Sequence, residues 1–188
     1  MCDWPSGDKL MEKYHDEEWG VPVLNDKVHF EYMVLDSFQA GLSWKTILHR
    51  RKGFKKAFAN FNYKKVAAFT KKDVARLMKD DGIIKNKQKI EASVTNAKLF
   101  MDIQKEFGSF NRYIWQFVGY KPIHNKFKHS YEVPATSPES DAMAKDLKKR
   151  GFKFCGSTIC YAYMQAAGMV NDHLTGCPRY SELNKSKK

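Results

Sequence analysis

Between Phe30 and Trp44 a single carboxylate, Asp36, stands among apolar and aromatic residues and is followed within a few positions by a chain break. Phe30, Met33, Val34, Ser37 and Phe38 recur at i, i+3, i+4, i+7 and i+8, the stripe of a helix seated in a core. Asp36 lies beside that stripe, so its carboxyl meets the edge of the buried face or a cavity next to it, an unusual place for a lone acid. Gly41 breaks the helix, Leu42 is offered at the tip of the break, and Ser43 is an N-cap for a helix opening with Trp44. The plainer reading is a helical corner with a solvent-facing Asp. A second constellation is metal-like. His173 and Cys177, spaced as on one helical turn, bring an imidazole and a thiolate to one face, and Cys2 and His15 offer the same donor types from the other end. Two Cys and two His make a closed structural zinc set with no coordination position left for a reactive water. The competing reading is accidental spacing.

The elements that would position these groups are helical. The chain has 188 residues, is 43% hydrophobic and 14% aromatic, and is long enough for one substantial core. It lacks an apolar run long enough for a membrane span and a signal-peptide pattern at its start, so a cytoplasmic protein is expected. The formal charge of +12, spread along the chain, favours a polyanionic partner, nucleic acid first. The four cysteines, Cys2, Cys155, Cys160 and Cys177, are read as reduced thiols or ligands rather than a disulfide framework; Cys155 and Cys160 are taken as packing residues.

Residues 1–22 show no strong periodicity and need tying down. Beyond them, breakers and caps divide the chain into helices over 44–51, 54–61, 63–69, 71–79, 86–107, 111–118, 139–150 and 157–167, with residues 119–134 as a loop, His124 and His129 exposed, and 181–188 frayed. Thr70 with Asp73 forms a capping box. The alternation needed for a sheet is missing. Leu77, Gly82-Ile83 and Ile90 read as two helices clamped about a glycine turn, a helix-hairpin-helix whose turn N–H groups bind a DNA phosphate. Lys85, Lys87 and Lys89 stand beside it as matching cations.

Across almost its whole length the chain resembles the type I 3-methyladenine DNA glycosylases. The likeness is carried by Cys2-x-Trp4, by Tyr14-His15-Asp16-x-Glu18-Trp19-Gly20-Val21-Pro22, and by Gln39-Ala40-Gly41-Leu42-Ser43-Trp44. It continues through Asp81-Gly82-Ile83-Ile84, the block from Lys149 to Phe154, Thr158-Ile159-Cys160-Tyr161, and Val170-Asn171-Asp172-His173-x3-Cys177. The resemblance implies an all-α fold of the helix-hairpin-helix DNA glycosylase superfamily, a single unit over 1–188 with its hairpin core at about 54–118. Structural zinc on Cys2, His15, His173 and Cys177 would join the N- and C-terminal segments. It implies a base pocket in which Tyr14 and Trp44 stack on a flipped base, with Trp4 and Trp19 as lining. Leu42, beside Gly41, would wedge into the DNA stack, and Gly82, Ile83, Ile84, Lys85 and Lys87 would hold the backbone. The implied activity is monofunctional excision of N3-methyladenine from alkylated double-stranded DNA, by a monomer with no protein or membrane partner.

One position departs from the pattern: Asp36 stands where the family has Glu. In the family that acid is the catalytic group that accepts hydrogen bonds from the damaged base and supplies its counter-charge; the shorter side chain ends roughly 1.5 Å earlier, which bears on specificity more than on fold, and Asp36 is expected to keep the role through a bridging water or a small backbone adjustment. Asp102 falls within the long helix, and no lysine suggests a Schiff base. The alternatives are the same fold with a shifted base preference, or a non-catalytic zinc-stabilised lesion-binding protein.

Overall fold

The computed structural model describes residues 2–185. Among these are ten α-helices, α1 (Lys9–Glu17), α2 (Asp26–Gln39), α3 (Trp44–Ala57), α4 (Tyr63–Ala67), α5 (Lys71–Leu77), α6 (Lys87–Phe107), α7 (Phe110–Trp115), α8 (Pro138–Lys149), α9 (Ser157–Ala166) and α10 (Pro178–Lys185). A two-residue parallel pairing joins β1 (Ile123–His124) to β2 (Val170–Asn171). None of the described helices is long and apolar enough to cross a membrane.

Helix α2 is the axis of the core. Its stripe buries Phe30, Leu35 and Phe38 completely, and it packs against α3, α6 and α9. Phe30 meets Phe100 of α6 edge-on at 5.5 Å, and Phe38 meets Phe54 of α3 at 4.8 Å, the preferred arrangement for aromatic pairs. Asp26, at the start of α2, accepts the backbone N–H groups of Phe110 and Asn111 at 3.0 and 2.8 Å, so it also satisfies the N-terminus of α7.

Several boundaries differ from expectation, each for a physical reason. The separate helices over 44–51 and 54–61 are one helix, α3, which runs through Gly53. That glycine is needed for close approach rather than for a break: a Cβ on it would lie 2.1 Å from the carbonyl oxygen of Gly82. A left-handed turn, Ala59–Phe61, follows α3. The segment over 1–22 contains α1, capped by the Asp8 carboxylate accepting from the N–H groups of Leu10 and Met11. The loop over 119–134 carries β1, so His124 is half-buried beside Asn171 rather than exposed. Residues 181–185 continue α10, and 186–188 lie outside the described residues. The Thr70–Asp73 capping box is present.

Candidate active site

Asp36 is 2% exposed. It faces a cavity of about 400 Å³ whose walls include Trp4, Tyr14, Trp19 and Trp44. The four aromatic residues and the acid named from sequence are therefore brought to one place. Tyr14 and Trp44 lie 5.0 Å apart with planes tilted by 45°, and Trp4 stands edge-on to Trp19 at 5.2 Å. Trp4 is 38% exposed at the rim, whereas Tyr14 is buried. Such a slot offers broad π faces to a planar ligand.

Its polar groups are unusual. Asp36 Oδ2 and Trp44 Nε1 are both buried, and neither has a hydrogen-bond partner among the described residues. Burial alone drives the Asp36 carboxyl well above the usual carboxylate range, because no cation or N–H donor compensates its charge. Burial therefore favours the protonated form of Asp36 over the carboxylate. A positively charged ligand with N–H groups would reverse that balance.

The turn after α2 is built as the sequence suggested. Gly41 adopts φ +78° with open space around it, Ser43 caps α3 by accepting from the N–H of Thr46 at 3.2 Å, and Leu42 is 40% exposed at the tip. What fixes this turn was missed. Lys89 is no solvent-facing cation: it is 6% exposed, and its ammonium donates to the carbonyl oxygens of Phe38 at 2.9 Å and Ala40 at 2.5 Å. It therefore closes the C-terminus of α2 and is withdrawn from any phosphate. Its partners lie about fifty positions earlier, beyond any local spacing rule.

Lys85 and Lys87 are exposed, and each pairs with an acid, Lys85 with Asp81 and Lys87 with Glu91 at 3.9 Å. Gly82, Ile83 and Ile84 form the turn between α5 and α6. The N–H of Gly82 donates to Asp80 Oδ1 at 2.8 Å, and Ile83 is buried in the core.

Cys2, His15, His173 and Cys177 converge, all buried, with their donor atoms within 4.8 Å of one another. His173 and Cys177 do not share a helical turn as expected. They sit in the chain between β2 and α10, folded so that the Cys177 N–H donates to the carbonyl of Leu174 at 2.8 Å. The outward nitrogens are engaged: His15 Nδ1 with Asp16 Oδ1 at 2.7 Å, and His173 Nε2 with the carbonyl of Trp19 at 2.9 Å. Burial pushes the His173 imidazole down to about 4 and the Cys2 thiol up to about 11, because desolvation disfavours the charged form of each.

Sequence reasoning named Gln39 and Asp172 only as letters of a motif and did not see Gln165 at all, yet all three line the cavity. Asp172 is buried and accepts from Tyr161 Oη at 2.7 Å, Gln165 Nε2 at 2.8 Å and Asn125 Nδ2 at 2.7 Å. These three donors fix the part of the cavity wall that carries Gln165 and Asp172. An acid beside a candidate ligand, His173, was the available signal.

A profile of the methyladenine glycosylase family matches residues 4–180. The chain is 45% identical over 179 residues to a protein named DNA-3-methyladenine glycosylase 1 of Escherichia coli strain K12, with 95% of this chain and 96% of that one covered. It is 42% identical over 177 residues to a DNA-3-methyladenine glycosylase of Haemophilus influenzae, covering 94% and 96% of the two chains. A solved structure of 3-methyladenine DNA glycosylase I from Staphylococcus aureus, determined for the structural basis of 3-methyladenine recognition, superposes with a TM-score of 0.91 at 35% identity, covering 94% of each chain.

Proposed function

The chain belongs to the methyladenine glycosylase family, and from that premise we propose that it is a monofunctional DNA-3-methyladenine glycosylase, hydrolysing the N-glycosidic bond of 3-methyladenine in alkylated double-stranded DNA. The observation that carries the reading is the buried, unpartnered Asp36 oxygen in an aromatic slot. Adenine alkylated at N3 is a cation with a weakened glycosidic bond. Water adds to C1′, the C1′–N9 pair leaves with the base, which becomes neutral, and the water proton passes to solvent. The protein must therefore select and hold the base more than activate it. Extruding a base costs a few kcal/mol, less for a damaged one. Stacking on Tyr14 and Trp44 returns about 1–3 kcal/mol, and a cation over an aromatic face adds about 0.5–2 kcal/mol. The cation favours the carboxylate form of Asp36, which accepts from the exocyclic amine and ring edge. Undamaged adenine brings no charge to repay that ionisation, so it is rejected.

The Cys2, His15, His173 and Cys177 donors suit structural zinc. A tetrahedron with Zn–S near 2.3 Å and Zn–N near 2.0–2.1 Å has edges of roughly 3.3–3.8 Å. Three of the sulfur-to-nitrogen separations are 3.7–3.9 Å, the His15 to His173 separation is 3.0 Å, and all the donor atoms lie within 4.8 Å of one another, so a small inward adjustment would close the set on an ion. With both outward nitrogens donating, the inward ones present bare lone pairs toward each other, a repulsive contact that an ion relieves. Zinc there supplies rigidity, because four protein ligands leave no place for a water. Leu42 fills the stack vacated by the extruded nucleotide. The Gly82–Ile84 turn with Lys85 and Lys87 holds a phosphate as a helix-hairpin-helix, and the chain acts as one unit, a cytoplasmic monomer.

Chromatography of bases released from methylated DNA tests the activity. The expected result is free 3-methyladenine with matching abasic sites. Release of a different alkylated base would mean that Asp36 has shifted specificity, and release of none would overturn the reading.

A further inference from the structure

We propose that the strap over residues 125–134 is a second DNA-contact surface, in which Tyr131 stacks on a base flanking the lesion while Lys126 and Lys128 meet its phosphates. The inference rests on the glycosylase reading and adds a surface to it. Tyr131 is 83% exposed, a large aromatic ring with no core to justify it. One of its faces is covered by the His129 ring, parallel to within 4° at 5.2 Å, which leaves the other face open. Its position is not arbitrary, since its neighbours Ser130, Val133 and Pro134 line the same cavity as Asp36 and Trp44. A nucleotide entering that cavity leaves its neighbours at the mouth, beside this ring.

The strap is held rather than loose. Glu132 accepts the N–H groups of Lys128 at 2.6 Å and His129 at 3.1 Å, Ser130 Oγ donates to Asp3 at 3.1 Å, and the Phe127 carbonyl accepts from Thr175 at 2.8 Å. Phe127 and Val133 pack on Cys2, Leu174 and Cys177, so the strap is seated on the cysteine–histidine cluster. An aromatic fixed in advance loses little freedom on stacking. The charge is complementary too: Lys126 and Lys128 are exposed, and Glu132, the single acid between 121 and 134, is already engaged by backbone donors.

The test compares Tyr131→Ala with the unaltered protein in two assays: affinity for a duplex bearing a stable abasic analogue, and affinity for free 3-methyladenine. Duplex binding is expected to weaken about 5- to 150-fold, the loss of one base stack, with free-base affinity unchanged. Tyr131→Trp should restore duplex binding. Replacing Lys126 or Lys128 by Ala should each lower the salt dependence by about one phosphate contact. Duplex affinity within twofold of the unaltered protein, or a parallel loss of free-base affinity, would overturn the proposal. Failure of the unaltered protein to release 3-methyladenine would instead strike the activity, because duplex binding is read separately.

Discussion

Replacing Asp36 by Asn should make the protein slower and, at neutral pH, more stable. Asn copies the shape of the protonated acid and cannot ionise. At about 4 Å and an effective dielectric near 20, a carboxylate and a cationic base attract by about 4 kcal/mol. Ionising a buried acid whose pKa is raised removes part of that, at about 1.4 kcal/mol per unit. The expected fall in kcat/KM for 3-methyladenine is therefore on the order of 10- to 1000-fold. Since the base loses its charge as the bond breaks, Asp36 acts mainly on capture, and kcat under saturating DNA should fall less than kcat/KM. Stability follows the opposite sign. A raised folded-state pKa contributes stability that is complete below the unfolded value near 3.9 and is lost as pH rises through the folded value. The wild-type melting temperature should thus drop relative to Asp36→Asn from about pH 4 upward, until the folded acid ionises. Single-turnover excision with melting curves across pH checks both arms. Equal excision rates, or melting curves that track each other at every pH, would refute the reasoning.

The protein as purified should carry about one zinc per chain by elemental analysis, and Cys177→Ser should lose it and melt about 10 °C lower, a few kcal/mol in a chain of this size. Gly53→Ala places a Cβ 2.1 Å from the Gly82 carbonyl with backbone on both sides, so a destabilisation of about 3 kcal/mol is expected from chemical denaturation. Lys89→Met should speed amide exchange over residues 39–43 while leaving the salt dependence of DNA binding unchanged, because its ammonium holds α2 carbonyls and not phosphate. Lys85→Ala should lower that salt dependence by about one contact.

The difference between those two lysines shows what a single sequence can and cannot carry. Local rules were enough for the stripe on α2, for the Ser43 cap, for the Thr70–Asp73 box and for the position of Asp36 at the edge of the core, since each depends on neighbours within a turn or two. Lys89 and Gly53 obey the same local rules but answer to distant backbone. A lysine in a basic run reads as solvated, and a glycine inside a helical pattern reads as a break. Only the fold brings Phe38 and Ala40 to the first and Gly82 to the second. The short pairing of β1 with β2 is of the same kind: neither partner alternates, and the two are joined by register across the fold. The aromatic walls lie between. Their residue types were legible, whereas their convergence came through resemblance, because Trp4, Tyr14 and Trp44 sit on separate elements.

The Cys2, His15, His173 and Cys177 cluster and the aromatic cavity share a wall, so loss of an ion bound by that cluster would be more than a stability effect. The His173 ring meets Trp19 edge-on at 4.7 Å, and the His15 ring meets Trp4 at 5.5 Å. His173 Nε2 also holds the Trp19 carbonyl. An ion held by the two imidazoles would therefore also hold the indoles, and Cys2 of the same cluster forms part of the cavity together with Leu174, which packs on it. A slot that must tell a cation from its neutral parent by a few kcal/mol cannot let its walls drift by an ångström, since that much misplacement can cost about a hundredfold. A structural ion bound there would thus bear on base binding through the Trp4 and Trp19 rings: in Cys177→Ser the affinity for free 3-methyladenine is expected to fall together with the melting temperature.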